Sequence, residues 1–526
     1  MSLVRKFATV GSATLGSRAL GFVRETLMAA ALGAGPMADA FYAAFRFPNL
    51  FRRLFAEGAF NAAFVPLFSR EIENGGEEGA RDFAEEVFGF LFTVLIAITI
   101  VMELAMPILV RTIIAPGFDD PQKISLTVRL AIVMFPYLGC MSLASMMAGI
   151  LNSLQRYFAA AIAPVFLNLI LIAVLGFSVG ADIASPATAR MMAWGVLVAG
   201  LVQLSIVTFA ARRAGIHIGF RRPRMTPRVK RLLWLALPAA ITGGITQINL
   251  VIGQMIASAK PGAIAVLQYA DRVYQLPLGV VGIAVGVVLL PELSRALKGG
   301  YMREAGTIQN RSLEFALFLT LPAAGALLVM APEIVRVLYE RGAFEPQTTR
   351  AVASALAIFG LGLPAFVMIK VFTPGFFARE DTRTPMIFAG ISVAVNVTLA
   401  LTLFPRIAES GIATAETAAG WTNAALLATT LVRRGHWAGD RPFMRRIPRL
   451  LVATFVMMGV LYLATGYADQ WLRPSTTVVV QIPALLGLVA LAMAVYFGLA
   501  FSIGGADAGM IRRNLGRGRV REAGVD

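Results

Sequence analysis

The chain has 526 residues, 57% of them apolar and only 15% charged, with a formal net charge of +17 and one cysteine. A soluble protein of this length needs more polar surface to cover its cores, so the composition excludes a soluble globular protein and indicates the membrane class. A lone Cys140 excludes a disulfide framework and a cysteine-based metal site, and two isolated histidines in basic stretches, His217 and His436, suggest no metal centre.

Arg5 and Lys6 could begin a cleavable signal, but Ser12, Thr14, Ser17, Arg18, Arg24 and Glu25 interrupt the apolar stretch that such a signal requires. Residues 8–33 therefore read as a retained and unusually polar first span. A hydrocarbon core of ~30 Å takes roughly 20 residues of helix. On that measure further spans are expected at 37–69, 84–111, 123–152, 158–180, 187–211, 230–258, 263–292, 308–339, 348–377, 385–404, 411–432, 449–466 and 476–503. The expected fold is an all-α integral membrane protein with about fourteen transmembrane helices.

The basic residues test this assignment. With the N-terminus inside, cytoplasmic segments hold roughly 30 Lys and Arg, and the opposite loops hold about 9. The net charge thus reads as the positive-inside bias of a multispanning protein with both termini cytoplasmic, rather than as a nucleic-acid footprint.

The chain also resembles itself at an offset of about 225 residues, the mark of a repeated lobe. Pro107, Val110, Arg111 and Gly117 meet Pro332, Val335, Arg336 and Gly342; Pro66, Ser69 and Arg70 meet Pro291, Ser294 and Arg295; Asn168 nearly meets Asn396. Spans 1–6 and 7–12 are therefore expected to form two six-helix lobes related by a pseudo-two-fold axis along the membrane normal. The expected domains are residues 1–211 (N-lobe), 212–229 (basic cytoplasmic linker), 230–434 (C-lobe), 435–503 (two additional helices) and 504–526 (basic cytoplasmic tail).

Several cations remain inside the spans: Arg18, Arg24, Arg46, Arg52, Arg53, Arg129, Arg272 and Lys370. Each costs ~2.5–3.5 kcal/mol at the bilayer centre, so those far from a helix end should face a cavity or a partner. Glu25, Asp39, Glu57 and Asp271 are the acids at hand. One reading makes these charges buried ion pairs that hold helices together. The other notes that cations outnumber acids and assigns the surplus to an anionic ligand, with arginine favouring phosphate through bidentate hydrogen bonds. Helix breakers fall in the same segments: Gly11, Gly16 and Gly21 in span 1, Pro48 in span 2, and Pro277, Gly279 and Gly282 in span 8. They are expected to interrupt or soften those helices, as transporters do at binding sites.

Gly11–Arg18 has the glycine spacing of a phosphate loop but lacks its lysine. With no other nucleotide motif, no HExxH, no Cys–His cluster and no triad, no enzyme activity, cofactor or metal is expected.

The segments Ser17–Glu25 (SRALGFVRE), Ala38–Phe68 (ADAFYAAFRFPNLFRRLFAEGAFNAAFVPLF), Tyr269–Ser294 (YADRVYQLPLGVVGIAVGVVLLPELS) and Lys370–Pro385 (KVFTPGFFAREDTRTP) resemble the MurJ (MviN) family of lipid II flippases, within the multidrug/oligosaccharidyl-lipid/polysaccharide exporter superfamily. The resemblance implies movement of undecaprenyl-diphosphate-linked peptidoglycan precursor from the inner to the outer leaflet of the bacterial cytoplasmic membrane. It further implies alternating access around a cationic cavity, with spans 13 and 14 forming a groove for the lipid tail. The implied partners are lipid II and membrane lipids, with the chain acting as a monomer and touching the cell-wall synthesis machinery. By motif, the substrate-binding residues fall on Arg18, Arg24, Arg52 and Arg272, supported by Glu25, Asp39, Arg53, Glu57, Asp271 and Lys370. A helical wheel puts Arg53 rather than Arg52 in line with Asp39 and Glu57, so the two arginines stand as alternatives. An exporter of another lipid-linked oligosaccharide, or of a drug, is the competing function; a drug exporter should display acids in its cavity, against the surplus of cations.

Overall fold

Hydrocarbon offers no hydrogen bonds, so a chain this apolar must satisfy its backbone internally, and helices do so within one segment. The computed structural model describes residues 3–53 and 60–506, and among these the regular structure is helical throughout. Nine helices among the described residues are long and apolar enough to cross a membrane. Helices also occupy the other expected positions, apart from residues 54–59 of the second span, which lie outside the described residues. Large apolar side chains stay exposed on the outer helices, with Leu104 at 78% and Val479 at 81%, which suits lipid rather than water.

The chain forms two compact units. The first runs to Ala265 and takes in Arg341–Glu345; the second holds Val266–Glu340 and the chain from Pro346 onward. The first contains α1 (Leu3–Leu32), α2 (Pro36–Arg52), α3 (Phe60–Leu109), α4 (Pro121–Met134), α5 (Tyr137–Ser153), α6 (Phe158–Gly180), α7 (Ser185–Arg213), α8 (Pro227–Ala257) and the start of α9 (Ala263–Lys298). Here α1 packs on α6, α2 on α4, α5 on both α3 and α7, and α8 on α3. Phe64, Phe68, Phe83, Met146, Met147 and Ile150 form its core.

The second unit contains the rest of α9, α10 (Met302–Tyr339), α11 (Pro346–Phe377), α12 (Arg383–Ile407), α13 (Glu409–Arg433), α14 (Arg441–Leu472) and α15 (Val478–Ser502). One cluster joins α9, α10, α11 and α13 through Leu293, Leu313, Phe372 and Leu427. Another packs α14 and α15 on α10 through Met457, Leu461, Tyr496 and Phe318.

The helix breakers behave differently from expectation. α1 runs unbroken through Gly11, Gly16 and Gly21, α2 through Pro48, and α9 through Pro277, Gly279 and Gly282. In a membrane the missing proline hydrogen bond is made good by neighbouring groups, and a water-free surround leaves the remaining backbone bonds without competition. The breaks come elsewhere. Residues 70–83, expected as a loop, are helical apart from Gly76 at φ 63°, and Phe64 and Phe83 stack at 5.7 Å where the two arms of α3 fold back on each other. Pro136 divides the expected fourth span into α4 and α5.

The repeated residues hold comparable places. Pro107 and Pro332 lie near the C-terminal ends of α3 and α10, and Asn168 and Asn396 are both buried, in α6 and α12. Gly117 and Gly342 each sit where backbone approaches backbone. A Cβ on Gly117 would come within 2.5 Å of Ala259, and one on Gly342, at φ +59°, within 2.4 Å of the Ala30 carbonyl oxygen.

The basic linker is strapped to α3. Arg221 pairs with Asp82 at 3.3 Å and Glu86 at 3.7 Å, Arg228 with Glu71 at 3.5 Å and Glu86 at 3.4 Å, and the Gly219 N–H donates to Glu85 at 3.0 Å. Thr226 caps α8 by accepting from the Val229 N–H, and its hydroxyl donates to Glu86.

Candidate substrate-binding charges

The arginines expected to bind substrate fall into both units: Arg18, Arg24 and Arg52 in the first, Arg272 in the second. On α1, Arg18 lies near the helix midpoint and is exposed. It makes no hydrogen bond or ion pair among the described residues. Six residues further on, about 9 Å along the axis, Arg24 is held on two sides. It donates to Glu25 at 2.5 Å and to the Asn168 side-chain oxygen at 3.1 Å. Glu25 is buried and also accepts from the Tyr42 hydroxyl at 2.5 Å. Asn168 in turn donates to the Ser17 carbonyl at 2.9 Å, so α6 ties the Arg24 pair to the turn that carries Arg18. The result is a neutralised arginine beside one with no partner among the described residues. Asn168 was visible in the sequence only as a repeat match, and its bridging role needs the α1–α6 contact to be seen.

Arg52 is half-buried, and its Nε donates to Asn49 one turn earlier on α2. Arg53, which ends that helix, is exposed, and Glu57 lies outside the described residues. In the second unit Arg272 is half-buried and has no hydrogen bond or ion pair among the described residues. Its neighbour Asp271 accepts from Gln275 one turn on. Lys370 is exposed on α11.

Asp39, one of the expected supporting charges, pairs with a lysine. Its carboxylate is fully buried, accepts from the Lys123 ammonium at 2.9 Å, and takes the backbone N–H groups of Gly262 at 2.6 Å and Ala265 at 3.0 Å. A side chain of α2 thereby caps the N-terminus of α9, where the helix dipole favours an anion. Lys123 also lies over the Phe118 ring, 3.7 Å from its centre. Sequence reasoning passed over Lys123 because it falls at the edge of an expected loop. An aspartate at depth needs some cation, but sequence alone does not choose which.

The Lys370–Pro385 motif ends in a polar knot where α11 gives way to α12. Asp381 accepts from the Thr384 N–H at 2.9 Å, the Thr384 hydroxyl at 2.6 Å and Arg434 at 2.6 Å. Those hydrogen bonds, from Thr384 first and Arg434 next, lower its carboxyl to about 2. Arg379 donates to the Gly375 and His436 carbonyls. Burial first, then Arg379 and Arg434, pushes the His436 imidazole below its ordinary value.

A family model described as the lipid II flippase MurJ matches residues 28–497. A Rhizobium meliloti (strain 1021) protein named probable lipid II flippase MurJ is 67% identical over 519 residues, 98% of this chain and 97% of its own length. A Burkholderia cenocepacia (strain J2315) protein named lipid II flippase MurJ is 32% identical, covering 96% of this chain and 98% of its own. A solved structure of a lipid II flippase MurJ in an inward closed conformation superposes with a TM-score of 0.77 at 25% identity, over 97% of this chain and 99% of its own. An inward-facing multidrug resistance transporter of the MATE family shares the fold, with a TM-score of 0.67 at 16% identity, over 79% of this chain and 94% of its own. With a membrane helix bundle and a family match over nearly its whole length, the chain belongs to the MurJ family of lipid II flippases.

Proposed function

We propose that this chain moves lipid II, the undecaprenyl-diphosphate-linked peptidoglycan precursor, from the inner to the outer leaflet of the bacterial cytoplasmic membrane by alternating access. The observation that carries the reading is Arg18, a cation near the midpoint of α1 with no counter-charge among the described residues. A bare guanidinium at depth is costly unless a ligand or water meets it, and a diphosphate offers bidentate acceptors. Arg24, prepositioned by Glu25 and Asn168, adds directed N–H groups, and Arg52 in the first unit and Arg272 in the second are further substrate-binding cations in this reading. Glu25 and Asp39 act as supports, the first by orienting Arg24 and the second by fixing α9, which bears Arg272. The pair α14–α15 offers an apolar face suited to the polyprenyl tail, and the chain works as a monomer with both termini cytoplasmic.

The test is transport of fluorescent lipid II in vesicles containing the purified protein, followed by accessibility to an impermeant quencher. Protein-dependent movement is expected. Movement no faster than in protein-free vesicles contradicts the reading, and equal movement of unrelated lipid-linked sugars contradicts the choice of substrate.

A further inference from the structure

The first unit contains a cavity of about 440 Å³ where α5 packs on both α3 and α7. Its walls are apolar: Phe88 and Phe92 of α3, Leu143 and Met147 of α5, Leu204 of α7, and Ile216 and Ile218 of the linker. The linker segment is fixed over one end, because Gly219 and Arg221 are fastened to Glu85, Asp82 and Glu86 and the Phe220 ring meets Phe92 edge to face. The rim changes character. Ser205, Thr208 and Arg212 line it, Phe209 there is 56% exposed, and Arg213 lies over the Phe209 ring at 4.6 Å.

Arg221 and Arg228 have carboxylate partners on α3, whereas the Arg212 side chain, exposed at the rim, has no ion pair or hydrogen bond among the described residues. An apolar chamber of this volume with a bare cation at its mouth matches an acyl chain tethered to an anionic head group, the pattern of basic pockets between transmembrane helices. We propose that this cavity is a binding site for an anionic phospholipid, with one acyl chain between α3, α5 and α7 and the phosphate against Arg212. Such a lipid would brace α3 against α7 beneath the strapped linker. It is a site separate from the arginines on α1.

The experiment uses the full-length protein in nanodiscs with a phosphatidylglycerol that carries a photoreactive diazirine on its acyl chain, and maps the labelled peptides. Saturable labelling is expected within 88–92, 143–147 and 204–209. Leu204→Trp should fill the chamber and Ser205→Trp should block it from the exposed rim, each removing the saturable part. The second variant keeps the test valid where the first disturbs folding. Arg212→Glu should lower the preference for phosphatidylglycerol over phosphatidylcholine about fivefold, the effect of one basic contact. Labelling without enrichment in those peptides, or unchanged in both tryptophan variants, overturns the proposal. So does equal labelling by phosphatidylcholine. Displacement by undecaprenyl diphosphate but not by unlabelled phosphatidylglycerol overturns it too, and gives the cavity to a polyprenyl tail.

Discussion

Two charged places in the first unit use the same chemistry to opposite ends. At Asp39 every partner is accounted for, with the Lys123 ammonium and the N–H groups of Gly262 and Ala265 enclosing a fully buried carboxylate. On α1, Glu25 neutralises Arg24 while Arg18, less than two turns away, has no partner among the described residues. A closed set of charges leaves nothing to offer a ligand and serves the fold. A set with one cation left over can still take an anion. Depth in the bilayer is therefore a poor guide to function by itself, and the local balance of partners is the better one.

The strongest break of this comparison comes from charge removal on the open side. Arg18→Ala and Arg272→Ala should each fail to support growth of a strain depleted of its own flippase while reaching normal levels in the membrane. Arg24→Ala should fail as well, with lower protein levels, because Glu25 is then left buried without its cation. Complementation by all three would remove the distinction.

On the closed side the expected loss is of stability. Asp39→Ala strands Lys123 and uncaps α9, and breaking a buried pair costs about 3–5 kcal/mol. Its thermal unfolding midpoint in detergent should drop clearly below that of the parent. Pairing Asp39→Leu with Lys123→Met should recover part of the loss, since an apolar pair of similar volume avoids the stranded charge. A double variant no more stable than Asp39→Ala would show that the cap on α9, which both variants lack, outweighs the stranded charge.

A third prediction concerns the linker. In a Cys140→Ser background, Met225→Cys should resist impermeant thiol reagents added to intact cells and react after permeabilisation, as the positive-inside bias requires. Labelling from outside would reverse the orientation.

The smallest effect is expected at the α11–α12 junction. Asp381 is lowered to about 2, so its contribution is complete above the ordinary carboxylate range and is lost as pH falls toward that value. His436 is also lowered, so the unfolded chain binds the proton more readily and stability declines as pH drops below the ordinary imidazole value. Unfolding midpoints measured between pH 7 and 5 should fall slightly, and His436→Gln should flatten that slope. An unchanged slope would assign it to other groups.

Much of this was legible in the sequence. Apolar runs located the helices because length and hydropathy are properties of the segment itself, and the repeat marked Gly117 and Gly342, which the structure puts at close backbone approaches. Arg18, Arg24, Arg52 and Arg272 stood out because charge in a span is conspicuous. What stayed hidden was pairing. Lys123 belongs to Asp39, and Asn168 joins Arg24 to the Ser17 turn, across helices far apart in sequence. The helix breakers misled for a related reason: proline and glycine signal breaks in water, whereas α1, α2 and α9 run through theirs. The linker gave a charge excess but not its destination, since Asp82 lies in an expected loop and Glu85 and Glu86 at the start of an expected span, and nothing in the sequence pairs them with the linker.

The most direct measurement compares Arg18→Ala with the parent protein in lipid II transport, using vesicles and thermal unfolding on the same preparations. Removing a cation that has no partner among the described residues should leave the unfolding midpoint unchanged and abolish transport. Transport at the parental rate by a stably folded Arg18→Ala protein would contradict the claim that the unpaired charge on α1 is kept for the substrate.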